Sequence, residues 1–169
     1  HNGTYWDRTL PNVCYTLSVG LELYSYDVAL DKFSIAADLS AVLQPLNYLN
    51  QLFMSSDRKV FSATLKVRAA DWSTNSVIGY VAYDLANQKL LAKNVSQNDT
   101  NEVYVSPDGR WLSVFLDNPQ RLDVYDLSGV VAKQTLLYND PVQDGWSHAT
   151  TMDGYVVGFT AAYSTAIAK

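Results

Sequence analysis

Three short segments carry the residue types from which a polar-ligand site is built. They are Asp71-Trp72-Ser73-Thr74-Asn75, Asp117-Asn118-Pro119-Gln120-Arg121 and Asp144-Gly145-Trp146-Ser147-His148. Indole faces give a ligand a flat apolar surface, while carboxylate, amide, guanidinium and imidazole groups fix its orientation through hydrogen bonds. The candidate binding residues are therefore Asp71, Trp72, Asn118, Arg121, Asp144, Trp146 and His148. A plainer reading stands beside this one, in which Trp72 and Trp146 wedge between packed sheets.

Other chemistry is thinly supplied. The chain has 2 His and 1 Cys, fewer than a zinc site usually draws on, so no metal site is expected. His1 at an N-terminus chelates copper through its amine and ring, and with His148 and Tyr163 or Phe159 it would resemble a copper polysaccharide monooxygenase. Those enzymes are sandwiches that usually carry disulfides, and the lone Cys14 counts against the likeness. An enzyme acting on a carbohydrate or small ester would use His148 with a carboxylate such as Asp144. No Gly-x-Ser-x-Gly elbow accompanies them. Neither a phosphate-binding loop nor a dinucleotide fingerprint is present, and no cofactor is expected. Cys14, within Val13-Cys14-Tyr15, reads as a buried strand residue.

The elements that must hold these segments repeat along the chain. Val103 to Val105 alternates as a half-buried strand, and Ser106-Pro107-Asp108-Gly109 is a turn: Pro presets φ, Asp bonds nearby backbone and Gly accepts positive φ. Trp111 to Leu116 is a near-continuous apolar strand suited to burial on both faces. Leu122 to Leu127 and Val130 to Leu137 follow as third and fourth strands. An earlier copy pairs Leu52 to Phe61 with Ile78 to Leu85. Asp57 and Asp108 stand 51 positions apart, and Tyr83-Asp84 and Tyr125-Asp126 stand 42 apart. A period of about 40 to 50 residues made of short strands predicts an all-β, β-propeller-type fold of three to four four-stranded antiparallel blades.

The units read as residues 12–40, 49–95, 103–138 and a partial 146–169, within a single domain spanning 1–169. The recurring Tyr26-Asp27, Tyr83-Asp84 and Tyr125-Asp126 pairs, with Asp57, Asp108 and Asp153, predict one structural role repeated, each Asp bonding backbone in its turn. Lys32 to Ala37 reads as an outer strand. Ile35, Leu39, Val42, Leu43 and Leu46 share a helical face broken by Pro45, which predicts a short helix or irregular crossover between Asp38 and Asn47.

The Ser-Pro-Asp-Gly-Arg phrase followed by Val124-Tyr125-Asp126-Leu127 resembles the TolB-type, WD40-like propeller repeats. The resemblance covers most of residues 49–138 and implies architecture rather than activity, since the scaffold hosts many functions. Most such propellers need a chain about twice as long. This one is expected to close as a small ring, with an N-terminal strand completing the last blade, or to form a segment of a larger one. An open segment exposes strand edges and apolar blade faces, which calls for a protein partner or self-association.

Bulk composition narrows the function classes. The chain has 169 residues, 48% hydrophobic and 17% charged, typical of a folded domain, with 12 Tyr favouring strands. Its net charge of -5 and lack of any Lys/Arg cluster disfavour nucleic-acid binding. No apolar run is long enough for a membrane span. Sequons at Asn2, Asn94 and Asn98 mark candidate glycosylation sites and an extracellular or surface setting. The expected function is an extracellular or surface binding or assembly module that uses one loop face of a propeller, with carbohydrate among its candidate ligands. The alternatives are the enzyme above, or a subunit of an extracellular filament or homo-oligomer.

Overall fold

The computed structural model describes residues 5–6, 12–18, 20–43, 47–68, 75–95, 100–117, 120–129, 133–138, 147–150, 156–159 and 165–168. The described residues form antiparallel strands and turns, without a helix. Sheet one comprises β1 (Tyr5–Trp6), β2 (Val13–Leu17), β3 (Glu22–Asp27) and β4 (Lys32–Asp38). Sheet two comprises β5 (Asn47–Met54), β6 (Val60–Arg68), β7 (Asn75–Asp84) and β8 (Lys89–Asn94). Sheet three comprises β9 (Thr100–Val105), β10 (Trp111–Asp117), β11 (Gln120–Asp126) and β12 (Lys133–Tyr138). Sheet four comprises β13 (Ser147–Thr150), β14 (Val156–Phe159) and β15 (Thr165–Ala168). In every sheet the strands pair in chain order, so each sheet is an up-and-down meander.

Alternation along the strands explains how the sheets stack. In β6, Phe61, Ala63 and Leu65 join Leu17, Leu23 and Ala37 of sheet one, and Leu39 just beyond it, in one buried cluster. The intervening Ser62 and Thr64 are also fully buried, and Ser62 Oγ donates to the Val103 carbonyl of sheet three at 3.3 Å. A second cluster joins Tyr80 and Ala82 of β7 to Val103, Val105, Leu112, Val114 and Leu116. A central sheet with neighbours on both sides must bury both faces of its strands, so its strands lose the polar face that a one-sided sheet would show. The same demand makes Leu112 to Leu116 continuously buried.

Of the two forms expected after Asp38, residues 39–43 show the irregular crossover, a single turn in which the N–H groups of Val42 and Leu43 both donate to the Leu39 carbonyl at 3.0 Å. The Asp38 carboxylate accepts the Ser40 N–H at 2.9 Å, and Leu39 and Leu43 are buried on the cluster between sheets one and two. Those apolar positions serve a turn that bridges two sheets, and a turn needs only one helical repeat. The N-terminal strand does not complete the last sheet. Tyr5 and Trp6 pair with Tyr15 and Cys14 and add a fourth strand to sheet one.

Candidate functional site

One end of the sheets is organised by its carboxylates. Ser106 Oγ donates to Asp108 Oδ1 at 2.5 Å and accepts the Trp111 N–H at 2.8 Å, while the Arg110 N–H donates to Asp108 Oδ1 at 3.1 Å. Sheet two repeats the arrangement: Ser55 Oγ donates to Asp57 Oδ1 at 2.7 Å and accepts the Val60 N–H at 3.0 Å, and the Lys59 N–H donates to Asp57 Oδ1 at 3.1 Å. Gly109 adopts φ 75° and Arg58 takes the corresponding place at φ 60°. The two turns touch. The Ser56 N–H donates to the Pro107 carbonyl at 2.7 Å, and a Cβ on Gly109 would stand 3.0 Å from Val60 Cγ2.

The Tyr-Asp corners do as expected. Asp27 Oδ1 accepts the N–H groups of Ala29 and Leu30 at 2.9 and 3.1 Å, Asp84 Oδ1 accepts that of Asn87 at 3.0 Å, and Asp126 Oδ1 accepts that of Ser128 at 2.9 Å. Asp126 also receives Arg110 Nη2 at 3.1 Å, and this guanidinium together with Ser128 holds its carboxyl down to about 2. Burial works to raise the Asp57 carboxyl, but the hydrogen bonds from Ser55 and Lys59 outweigh it and leave it below the ordinary range. These carboxylates fasten turns, which leaves them poorly suited to proton transfer.

The opposite end holds the connections between second and third strands and between sheets. Arg68 pairs with Asn75, and Asp117 with Gln120, at the mouths of the connections 69–74 and 118–119. Asp71, Trp72, Asn118, Asp144 and Trp146 lie outside the described residues, as do Asn2, Asn98, His1, Asp153 and Tyr163. Arg121 sits in β11 opposite Leu116, and His148 in β13 opposite Gly158. Asn94 ends β8 opposite Tyr80 and is partly buried. Cys14 is a buried strand residue, as its neighbours imply.

Neither Phe53 nor Tyr104 stands among the candidate site residues read from the sequence. Phe53 of β5 and Tyr104 of β9 meet with ring centroids 4.0 Å apart, and Tyr104 OH donates to Glu102 Oε2 at 3.2 Å. Gln51, at φ 52°, lies in an irregularity between Asn50 and Phe53 that shifts the register of β5 against β6. Thr64 Oγ1 closes on this irregularity by donating to the Asn50 carbonyl at 3.0 Å. A non-glycine residue in the left-handed region has no reliable sequence signal, so strict alternation misassigns the residues around it. Among the described residues, no group of three or more His, Cys, Asp or Glu is placed to hold a metal ion. No helix among them is long and apolar enough to cross a membrane.

Comparison with known proteins settles the architecture. No family model matches the chain, and no curated protein does. Solved structures do. An oligogalacturonate lyase in complex with manganese superposes with a TM-score of 0.65 at 9% identity, over 98% of this chain and 52% of the other. The β-propeller domain of Cps50 (Swd1) from Myceliophteria thermophila gives 0.64 at 11% identity, over 98% and 50%. TolB from Acinetobacter baumannii gives 0.53 at 13% identity, over 98% and 39%. This chain thus spans about half the length of the first two. At such identities the likeness carries the fold alone, and it bears out the TolB-type, WD40-like propeller reading.

Proposed function

We propose that a chain of this TolB-type, WD40-like propeller architecture serves as a binding module, meeting a polar, carbohydrate-like ligand at the end opposite its aspartate turns. The observation that carries the reading is the division of labour between the two ends. Asp27, Asp57, Asp84, Asp108 and Asp126 are bonded within the turns of one end. The segments holding Trp72, Asn118 and Trp146 are assigned to the other end, as connections between second and third strands and between sheets. Trp72 and Trp146 supply stacking faces, while Asp71, Asn118, Arg121, Asp144 and His148 supply donors and acceptors. The sequons at Asn2, Asn94 and Asn98 support an extracellular or surface setting, and a glycan on Asn94 or Asn98 would stand near that rim.

A glycan array probed with the purified protein tests this. Trp72→Ala and Trp146→Ala are each expected to weaken a captured glycan by about tenfold, the equivalent of about 1.4 kcal/mol. Binding unchanged in both variants overturns the site. Turnover of a captured glycan or ester that is lost in His148→Ala would replace the binding reading with the enzyme.

A further inference from the structure

The most exposed large apolar side chains among the described residues belong to one hairpin, that of β3 and β4. Leu30 is 71%, Phe33 60%, Ile35 57% and Val28 47% exposed. Pairing puts Tyr24 and Tyr26 of β3 on one face with their β4 partners Ile35 and Phe33. Phe33 stacks on Tyr26 with centroids 4.4 Å apart, and its ring meets that of Tyr24 edge-on at 6.5 Å. The three rings form one strip, which Ile35 extends. Leu17, Leu23 and Ala37, of the opposite parity, pack against sheet two, so the strip lies on the face turned away from it.

Charge beside this strip has one sign. Tyr26 OH donates to Asp31 Oδ1 at 2.6 Å, which brings that carboxylate against the rings. The bond to Asp31 leads in pushing the Tyr26 hydroxyl up from its ordinary range, and the charges of Asp31 and Asp27 add to it. Lys32 is the only cation between residues 22 and 38, and it pairs with Asp27, on the face opposite Phe33. In β2 the partners of Tyr26 and Tyr24 are Cys14 and Thr16, which bring no cation to the strip.

We propose that this face docks a basic, apolar segment of a partner protein. Apolar side chains of the segment cover Phe33 and Ile35, while a Lys or Arg lies over the rings with its charge on Asp31. Aromatic faces attract a cation through their quadrupole, and a carboxylate beside them accepts a charge-assisted hydrogen bond. An apolar patch rimmed by polar groups is a common protein contact, and a partner of matching charge is selected over an acidic one. The contact is separate from the polar-ligand end, and either can fail without the other.

An array of short peptides in which apolar residues alternate with Lys or Arg, or with Asp or Glu, tests this against the purified protein. Fluorescence anisotropy then compares captured peptides on the unmodified chain, Asp31→Asn and Phe33→Ala. Asp31 has φ 48°, a conformation Asn tolerates, and an Asn amide oxygen still accepts the Tyr26 hydroxyl, so Asp31→Asn removes charge alone. Circular dichroism checks that both variants fold. The expected result is capture of basic peptides, weakened about tenfold in each variant. Salt is expected to weaken capture by the unmodified chain more than by Asp31→Asn. An array silent to basic peptides overturns the proposal, as does capture unchanged in both folded variants. Acidic peptides held as tightly as basic ones overturn it too. Self-association in sedimentation that is lost in Phe33→Ala would make a second copy the occupant and overturn the partner protein.

Discussion

Asp126 illustrates how a carboxylate that suggests chemistry in the sequence can be structural in the fold. Arg110 and Ser128 hold its ionised form, and its pKa falls from 3.8 to about 2. A carboxyl depressed by folding stabilises the native state above its unfolded pKa and loses that contribution as pH falls through the folded one. Asp126 therefore contributes above about pH 4 and ceases to do so near pH 2. The pair is partly exposed, with side chains 52% and 27% accessible, so solvent screens it and its contribution at neutral pH is small. Asp126→Asn is expected to flatten the fall in thermal midpoint between pH 4 and 2. A midpoint that falls in parallel with the unmodified protein would contradict this. The turn role of Asp126 was legible, because a Tyr-Asp pair before Ser-Gly has only local backbone to bond. Its Arg110 partner was not, since that contact depends on strand pairing across 16 positions.

Strands were legible wherever burial alternated or ran continuously, as in β10 and β11. Legibility failed where an element was too short or served two sheets. Two residues, Tyr5 and Trp6, are too few for any periodicity, and only pairing with β2 makes them a strand. The apolar spacing after Asp38 looked helical because Leu39 and Leu43 are one turn apart on a common core. Gly79 is a comparable case inside β7. It sits at φ 153° beside a register shift, and a Cβ there would run into the Asn94 carbonyl oxygen. Backbone atoms cannot yield as a side chain tip can, so Gly79→Ala must displace β8 from β7. Urea unfolding is expected to show a loss of about 1–3 kcal/mol. An unchanged midpoint would mean that the two strands run further apart than described.

For the whole molecule, the repeat period revealed that sheets follow one another, and the two buried clusters show how they stack: sheet one on two, and two on three. The period was readable because each unit must repeat the same turn and corner to present the same faces. The candidate site was legible only as composition. Trp72, Asn118 and Trp146 lie in connections whose arrangement depends on neighbouring sheets, and the Phe53–Tyr104 contact depends on an irregularity no local rule predicts. Assigning the connections to one end or the other rests on sheets standing side by side with their first strands adjacent. Nuclear Overhauser spectroscopy on protein with labelled Phe and Tyr rings measures this directly. Side-by-side stacking gives a strong cross-peak between the rings of Phe53 and Tyr104, 4.0 Å apart, and another between Tyr80 and Tyr125, 6.0 Å apart. Absence of both cross-peaks in the folded protein would contradict the stacking, and with it the assignment of a ligand-binding end.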